Sequence, residues 1–232
     1  MRNIKTRETW IENTLKQIPP GSRILDAGAG ELQYKRFCHH LEYVSQDFGL
    51  YDGTGNGAGL HVGTWDQSKL DIVSDIGAIP EEDASFDAIM CIEVLEHLQV
   101  PLQALKEFSR LLRSGGHLII TSPFCSLTHF APYHFCSGFN RYYYATHLPS
   151  LGFEIMEIEP NGNFFEYLAQ EVRRLPAVAS RYAAVGKRWW WLHGLMYPLL
   201  VALDVLSRRD SGSSELLCFG FHVRAVKRGD VS

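Results

Sequence analysis

Two groups of residues in this chain have types and spacings that could do chemistry. The stretch Arg23 to Glu31 reads RILDAGAGE: a short apolar run ends in Asp26 and breaks into small residues, with glycines at 28 and 30. A strand that turns on glycines into a helix can present backbone N–H groups to a nucleotide-like ligand. A side chain at either glycine would hold that ligand off the backbone. Further on, Glu93, Glu96 and His97 stand at i, i+3 and i+4. On a helix begun near Glu93 these three share one face. Downstream, THFAPYHFCSGFNRYYYATH carries His129, His134 and His147 among tyrosines. Histidine titrates near neutral pH, so His129 and His134 are candidate bases, with His97 as a further base or substrate contact.

Elements of regular period must position these residues. Trp10, Ile11, Leu15 and Ile18 mark one face of an N-terminal helix that Pro19, Pro20 and Gly21 end. Glu31 to His40 can form a helix after the glycine turn. LEYVSQDF is a second strand ending at Asp47, followed by a segment with glycines at 49, 53, 55, 57, 59 and 63. That segment is either a long surface loop or a rim over a ligand. LDIVSDI (70–76) reads as a third strand and FDAIMCIE (86–93) as a fourth, apolar enough to be buried on both faces. Leucines spaced by three, four or seven predict a helix from Val94 to Leu112, stopped by Ser114-Gly115-Gly116. HLIITSP is a fifth strand, a helix follows near 145–151, FEIMEIEP (153–160) is a sixth strand and 215–227 a last one. Strands alternating with helices predict an α/β fold, a Rossmann-like, doubly wound and mainly parallel seven-stranded sheet.

Composition narrows the class. With 46% hydrophobic and 21% charged residues among 232, disorder is not expected. A net charge of −4 argues against a broad nucleic-acid surface. Five scattered cysteines, never spaced as CxxC, argue against a disulfide framework and a zinc site. The polar opening MRNIKTRETW lacks the apolar core of a secretion signal, so a cytoplasmic protein is expected.

LDAGAGE, with an acid two places before the first glycine, resembles motif I of the class I S-adenosylmethionine-dependent methyltransferases. SDIGAIPEEDASFDAIMCIEVLEHL and LKEFSRLLRSGGHLIITSP resemble the central and later motifs of that superfamily, in the right order. The likeness covers residues 20–160 and is nearest in kind to the small-molecule, ubiquinone-biosynthesis type. It implies S-adenosyl-L-methionine as methyl donor and S-adenosyl-L-homocysteine as product. By the resemblance, Asp26, Ala27, Gly28 and Gly30 line the donor's amino-acid and ribose portions, and Asp47 grips two ribose hydroxyls. Asp75 meets the adenine amino group, Ile76 covers the ring, and Cys91, Ile92 and Glu93 complete the site, with Phe124 on its border. The ExxEH of Glu93, Glu96 and His97 resembles a magnesium pattern of small-RNA 2′-O-methyltransferases and some quinone-pathway enzymes. EVLEHL also occurs in members without metal, so no metal ligand is assigned. The segment after the fifth strand resembles H-x-x-P-x-x-x-x-R-x-T of methyltransferases from bacterial surface-polysaccharide and natural-product clusters. His129, Pro132, His134 and Arg141 stand at comparable positions, and Tyr143 replaces the threonine. The resemblance implies O-methylation of a small-molecule or saccharide-like acceptor. Two other readings stay open. An NAD-binding oxidoreductase could use the same turn, although Gln33 replaces the third glycine of GxGxxG. A non-catalytic S-adenosylmethionine-binding scaffold could keep the fold.

The expected organisation is a single methyltransferase domain over 1–232. It comprises an N-terminal helix (1–20), a donor-binding core (21–160), a basic, aromatic helical insertion (161–214) and a final strand (215–227). From Arg173 to Arg209 there are seven basic side chains and one acidic, around the apolar run WWWLHGLMYPLLVALDVL (189–206). A basic, tryptophan-rich margin beside an apolar helix suits a peripheral membrane contact. The same surface could cap the acceptor site or form a homodimer.

Overall fold

The apolar runs at Ile24–Leu25, Ala88–Ile92 and Leu118–Ile120 are buried and lie side by side as the middle of one sheet. In the computed structural model, which describes residues 2–60, 63–183 and 190–229, this sheet has seven strands. They are β1 (Arg23–Ala27), β2 (Glu42–Asp47), β3 (Ile72–Val73), β4 (Phe86–Ile92), β5 (Leu112–Pro123), β6 (Phe153–Asn161) and β7 (Gly220–Lys227). Their order is β3-β2-β1-β4-β5-β7-β6. The pairs from β3 to β5 are parallel, and β7 returns antiparallel to β5. This is the doubly wound, mainly parallel α/β sheet expected. Its strand order reverses between β1 and β4, the switch point where open α/β sheets bind ligands.

Helix α1 (Arg2–Leu15) closes one face, with Ile11 and Leu15 fully buried against Ile24, Met90, Ile92 and Ile119. Each such side chain contributes roughly 1.5–3 kcal/mol by burial. Helices α2 (Pro101–Leu111) and α3 (Arg141–Ser150) follow β4 and β5. Asn140 caps α3, its side chain accepting from the N–H of Tyr142 and Tyr143. The chain divides into two compact units: residues 1–159 with 220–232, and residues 160–219. In the second, α4 (Phe164–Tyr182) and α5 (Trp190–Arg208) pack together. Asn163 caps α4 by accepting from Glu166 N and donates to Ser207 Oγ at the end of α5, 3.1 Å away. Among the described residues, no helix is long and apolar enough to cross a membrane. None of the five cysteines forms a disulfide.

Several elements differ from the sequence expectation, each for a local reason. Glu31 to His40 holds only a 3-10 turn, Lys35–Phe37, because Leu32 adopts a left-handed φ of 60° that no α-helix accommodates. The expected helix from Val94 is two elements. Glu93 has φ 56°, Leu95–His97 is a 3-10 turn, and α2 begins only at Pro101, whose fixed φ and missing N–H suit a first helical position. The third strand keeps only Ile72 and Val73 of LDIVSDI. The fifth begins at Leu112 and runs through the glycines at 115 and 116. Helix α3 starts at Arg141 rather than near 145, where Asn140 caps it. The last strand starts at Gly220, after a 3-10 turn at Ser213–Glu215.

Candidate active site

The glycine turn is built from its own acceptors. Gly28 N and Ala29 N donate to the Gln46 carbonyl at 2.8 and 2.9 Å, Leu32 N to the Ala29 carbonyl at 2.8 Å, and Gly30 N to Asp47 Oδ2 at 3.0 Å. Gly28 has φ 81°, and a Cβ there would stand 2.4 Å from Val94 Cγ2. Asp47 is 5% exposed, and its Oδ1 accepts from Gly49 N at 3.0 Å and Gln67 Nε2 at 3.1 Å. One carboxylate therefore holds both the turn and the start of the glycine-rich loop. Asp26 is buried at the end of β1 and accepts from Tyr43 Oη at 2.6 Å. Burial pushes its carboxyl up to about 7, the Tyr43 hydrogen bond opposes this, and neighbouring Asp47 adds to it. The turn therefore spends the N–H groups of Gly28, Ala29, Gly30 and Leu32 internally and leads into no α-helix. An anionic pyrophosphate finds no α-helix N-terminus there.

A cleft of about 670 Å³ opens at the carboxyl ends of β1, β2 and β4. Of the residues expected from sequence, Gly28, Asp47, Asp75, Ile76, Glu93 and His97 line it. Asp75 is exposed and accepts from Gly77 N at 2.7 Å, while Ile76 is buried beside it. Asp26, Ala27, Cys91 and Ile92 lie in the sheet behind the lining, and burial pushes the Cys91 thiol well up. Gly30 sits under Trp65, whose ring would be 2.9 Å from a Cβ added there. Phe124 packs on Phe221, with ring centroids 5.7 Å apart, rather than on the cleft.

Sequence reasoning missed the opposite wall. Tyr51, Trp65, Phe130 and Tyr133 line the cleft as an aromatic cluster, with Tyr51 4.9 Å from Phe130 and Trp65 5.3 Å from Phe130. Two of these come from the flanks of the glycine-rich loop, where Tyr51 and Trp65 were the available signal. That loop is a rim tied to the downstream segment. Leu60 N donates to the Thr128 carbonyl at 3.1 Å, Phe130 N to Leu60 at 3.0 Å, and Asn56 N to Ala131 at 3.0 Å. Gly59, at φ 80°, lets the Thr128 carbonyl approach to 2.6 Å of where a Cβ would stand.

The acids and histidines divide into two groups. Glu93 Oε2 pairs with Arg7 of α1 at 2.6 Å, and Oε1 accepts from Thr121 Oγ1 at 2.9 Å. Glu96 points elsewhere: its side chain is 1% exposed, and neither oxygen has a hydrogen-bond partner among the described residues. Burial, reinforced by Glu93, pushes its carboxyl well above the ordinary range. Its Oε1 lies 3.8 Å from His97 Nε2 and 3.9 Å from His129 Nε2. His97 Nδ1 donates to the Tyr133 carbonyl, and burial together with His129 holds its imidazole down to about 3. The rings of His129 and His134 stand 4.6 and 5.9 Å from His97, and neither lines the cleft. His134 pairs with Ser126 Oγ at 3.1 Å, and burial and His129 lower it. Of the three candidate bases, only His97 reaches the cleft wall. Tyr143, in the place of the threonine, keeps its hydroxyl buried with no partner among the described residues.

Residues 58–120 match the family model described as a methyltransferase domain. The chain is 29% identical over 160 residues to a demethylmenaquinone methyltransferase of Renibacterium salmoninarum, covering 68% of this chain and 61% of that one. It is 31% identical over 108 residues to a ubiquinone biosynthesis O-methyltransferase of Xanthomonas campestris, covering 44% of each. The chain thus spans less than two thirds of the length of these relatives. Among solved structures, an S-adenosylmethionine-dependent methyltransferase of Archaeoglobus fulgidus shares the fold. It has a TM-score of 0.60 at 17% identity, over 98% of this chain and 95% of that one. With the motifs in order over residues 20–160 and a seven-stranded sheet of this order, the chain is similar to the class I S-adenosylmethionine-dependent methyltransferases.

Proposed function

We propose that this chain transfers the methyl group of S-adenosylmethionine to a hydroxyl oxygen of a small-molecule acceptor. The observation that carries this reading is the glycine turn itself. Its N–H groups are occupied by the Gln46 carbonyl and Asp47, and the cleft beyond it is bordered by the acids Asp47, Asp75 and Glu93. Such a cradle favours a cationic sulfonium and ammonium over a pyrophosphate. Asp26, Ala27, Gly28 and Gly30 form the turn, Asp47 offers carboxylate oxygens to ribose hydroxyls, and Asp75 with Ile76 receives the adenine. Cys91, Ile92 and Glu93 support the floor. Methyl transfer is an in-line displacement, so the protein aligns donor and acceptor, and a nearby base takes the hydroxyl proton. His97 is that base, with the His129 ring edge-on to it and the His134 ring tilted beside it. A thermal-shift titration tests the donor. S-adenosylhomocysteine at about a hundred times its Kd adds roughly 2.7 kcal/mol of stability, and NAD adds none. Stabilisation by NAD instead would overturn the reading, and donor binding with no turnover on any acceptor would favour a scaffold.

For the acceptor, a saccharide-like hydroxyl and a hydroxylated aromatic ring are the two readings. The aromatic wall of Tyr51, Phe130 and Tyr133 favours the ring, because flat apolar surfaces stack there. The two curated relatives, named for menaquinone and ubiquinone chemistry, support the same choice. Methyl transfer from labelled donor to catechols but not to monosaccharide glycosides is the expected outcome.

We propose in addition that residues 173–209 make a peripheral contact with anionic lipid. Leu195, Tyr197, Leu199 and Val201 of α5 are exposed, and the segment is strongly basic. The chain should float with vesicles containing phosphatidylglycerol and not with neutral ones.

A further inference from the structure

Within the aromatic wall of the cleft, Trp65 is the ring that lies on the glycine turn. Cζ3 and Cη2 of its six-membered ring are 2.9 and 3.2 Å from where a Cβ at Gly30 would stand, and Gly30 has φ 51°. A residue with no side chain is what leaves room for the indole there. The backbone fixes this placement from both sides. Trp65 N donates to the Asp52 carbonyl at 3.0 Å, and Asp66 N donates to Glu31 Oε1 at 3.3 Å, just beyond the turn. The loop is shaped for it too: a Cβ at Gly53, whose φ is 91°, would meet the Gly63 carbonyl. Tyr51 and Phe130 meet the indole at 90° and 76°, with centroids 5.1 and 5.3 Å away, so neither ring lies flat on it. Its Nε1 is buried without a hydrogen-bond partner among the described residues, so packing alone orients the ring.

The carboxylates beside it suit other parts of a ligand. Asp47 is engaged by Gly30 N, Gly49 N and Gln67 Nε2, and Glu93 by Arg7 and Thr121. Hydroxyls and an ammonium can still hydrogen-bond to such oxygens. A sulfonium has no N–H or O–H to donate, and the negative face of an aromatic ring, of tryptophan above all, is the partner that attracts it. We infer that Trp65 distinguishes the cationic methyl donor from its neutral product, its indole receiving the sulfonium. The assignment rests on the donor reading above. Sulfur loses its charge when the methyl group leaves, so this contact holds the donor and lets the thioether product go.

Calorimetry on the full chain, without acceptor, tests this with S-adenosylmethionine and S-adenosylhomocysteine, which differ by one methyl group and one charge. In Trp65→Leu, S-adenosylmethionine should weaken by roughly 5- to 30-fold more than S-adenosylhomocysteine. Trp65→Phe should recover part of that difference, because a smaller aromatic face remains. Fluorinated tryptophans placed at position 65 keep the shape of the ring and drain the negative charge from its face. Each added fluorine should therefore weaken S-adenosylmethionine and leave S-adenosylhomocysteine unchanged, with the fold checked by circular dichroism. Equal weakening of the two ligands in Trp65→Leu, or no weakening along the fluorine series, overturns the proposal and leaves the indole a packing residue. Wild type that binds neither ligand overturns the donor reading, and this assignment with it.

Discussion

At the scale of the residue, burial sets the chemistry of the site. Asp26 is held up to about 7 by desolvation, against an unfolded value near 3.9. The sign follows from linkage: the folded state prefers the neutral carboxyl, so Asp26 costs nothing below about pH 4. Its cost grows as pH rises to about 7 and is constant above that. Asp26→Asn should therefore be the more stable protein at pH 8, by a few kcal/mol at most. The gap should close as pH falls towards 4, as followed by urea unfolding. A pH-independent difference would assign the effect to packing. The histidines make a second prediction. His97→Ala should lower kcat by about 100-fold or more, because His97 alone of the three lines the cleft. His134→Ala should lower it less, and neither should change the Kd for S-adenosylhomocysteine measured by calorimetry. An unchanged kcat in His97→Ala would remove it as the base. Nothing in the local sequence separates His97 from His129 and His134. Which ring meets the cleft depends on how the 128–135 segment folds back over the turn after β4.

At the scale of the element, the turn after β4 and the loop after β2 do the positioning. Arg7 reaches from α1 to Glu93 at 2.6 Å, with only 15% and 29% of the two side chains exposed. A partly buried pair left with one member costs more than a surface pair. Arg7→Ala should destabilise by about 2 kcal/mol, and a double-mutant cycle with Glu93→Gln should give a coupling of about 0.5–3 kcal/mol. A coupling of zero would mean that the pair does not hold α1 to the sheet. The glycine-rich loop makes the next prediction. Gly59 has φ 80° and a carbonyl where a Cβ would go. Gly59→Val should cost about 1–3 kcal/mol of local strain and raise the rate of limited proteolysis between residues 49 and 65. An unchanged cleavage rate would show that the rim is not pinned there. The loop's glycines were visible in sequence, and its length left surface loop and rim equally open. Backbone pairing of Leu60 with 128–130 decided for the rim.

At the scale of the whole molecule, the sheet was legible because its central strands are buried on both faces and read as unbroken apolar runs. The order of motifs over 20–160 carried the likeness to the superfamily, and the strand order 3-2-1-4-5-7-6 agrees with it. Local period was a poorer guide where a single residue broke it. Leu32 and Glu93 take left-handed backbone that neither residue type announces, so the helix expected over 31–40 became a turn and the one expected from Val94 begins only at Pro101. The short third strand has the same lesson: its two paired residues depend on β2 beside it, not on LDIVSDI alone. By itself the sequence determined the fold and the likeness to the superfamily, since hydrophobic period and glycine placement are local properties. Only the tertiary structure decided three further matters. The turn's N–H groups are consumed by Gln46 and Asp47, aromatic residues some 80 positions apart share one wall, and Glu93 and Glu96 face different partners. The physical reason is the same in each case. Burial and pairing are set by neighbours distant in the chain, and spacing along the chain does not encode them.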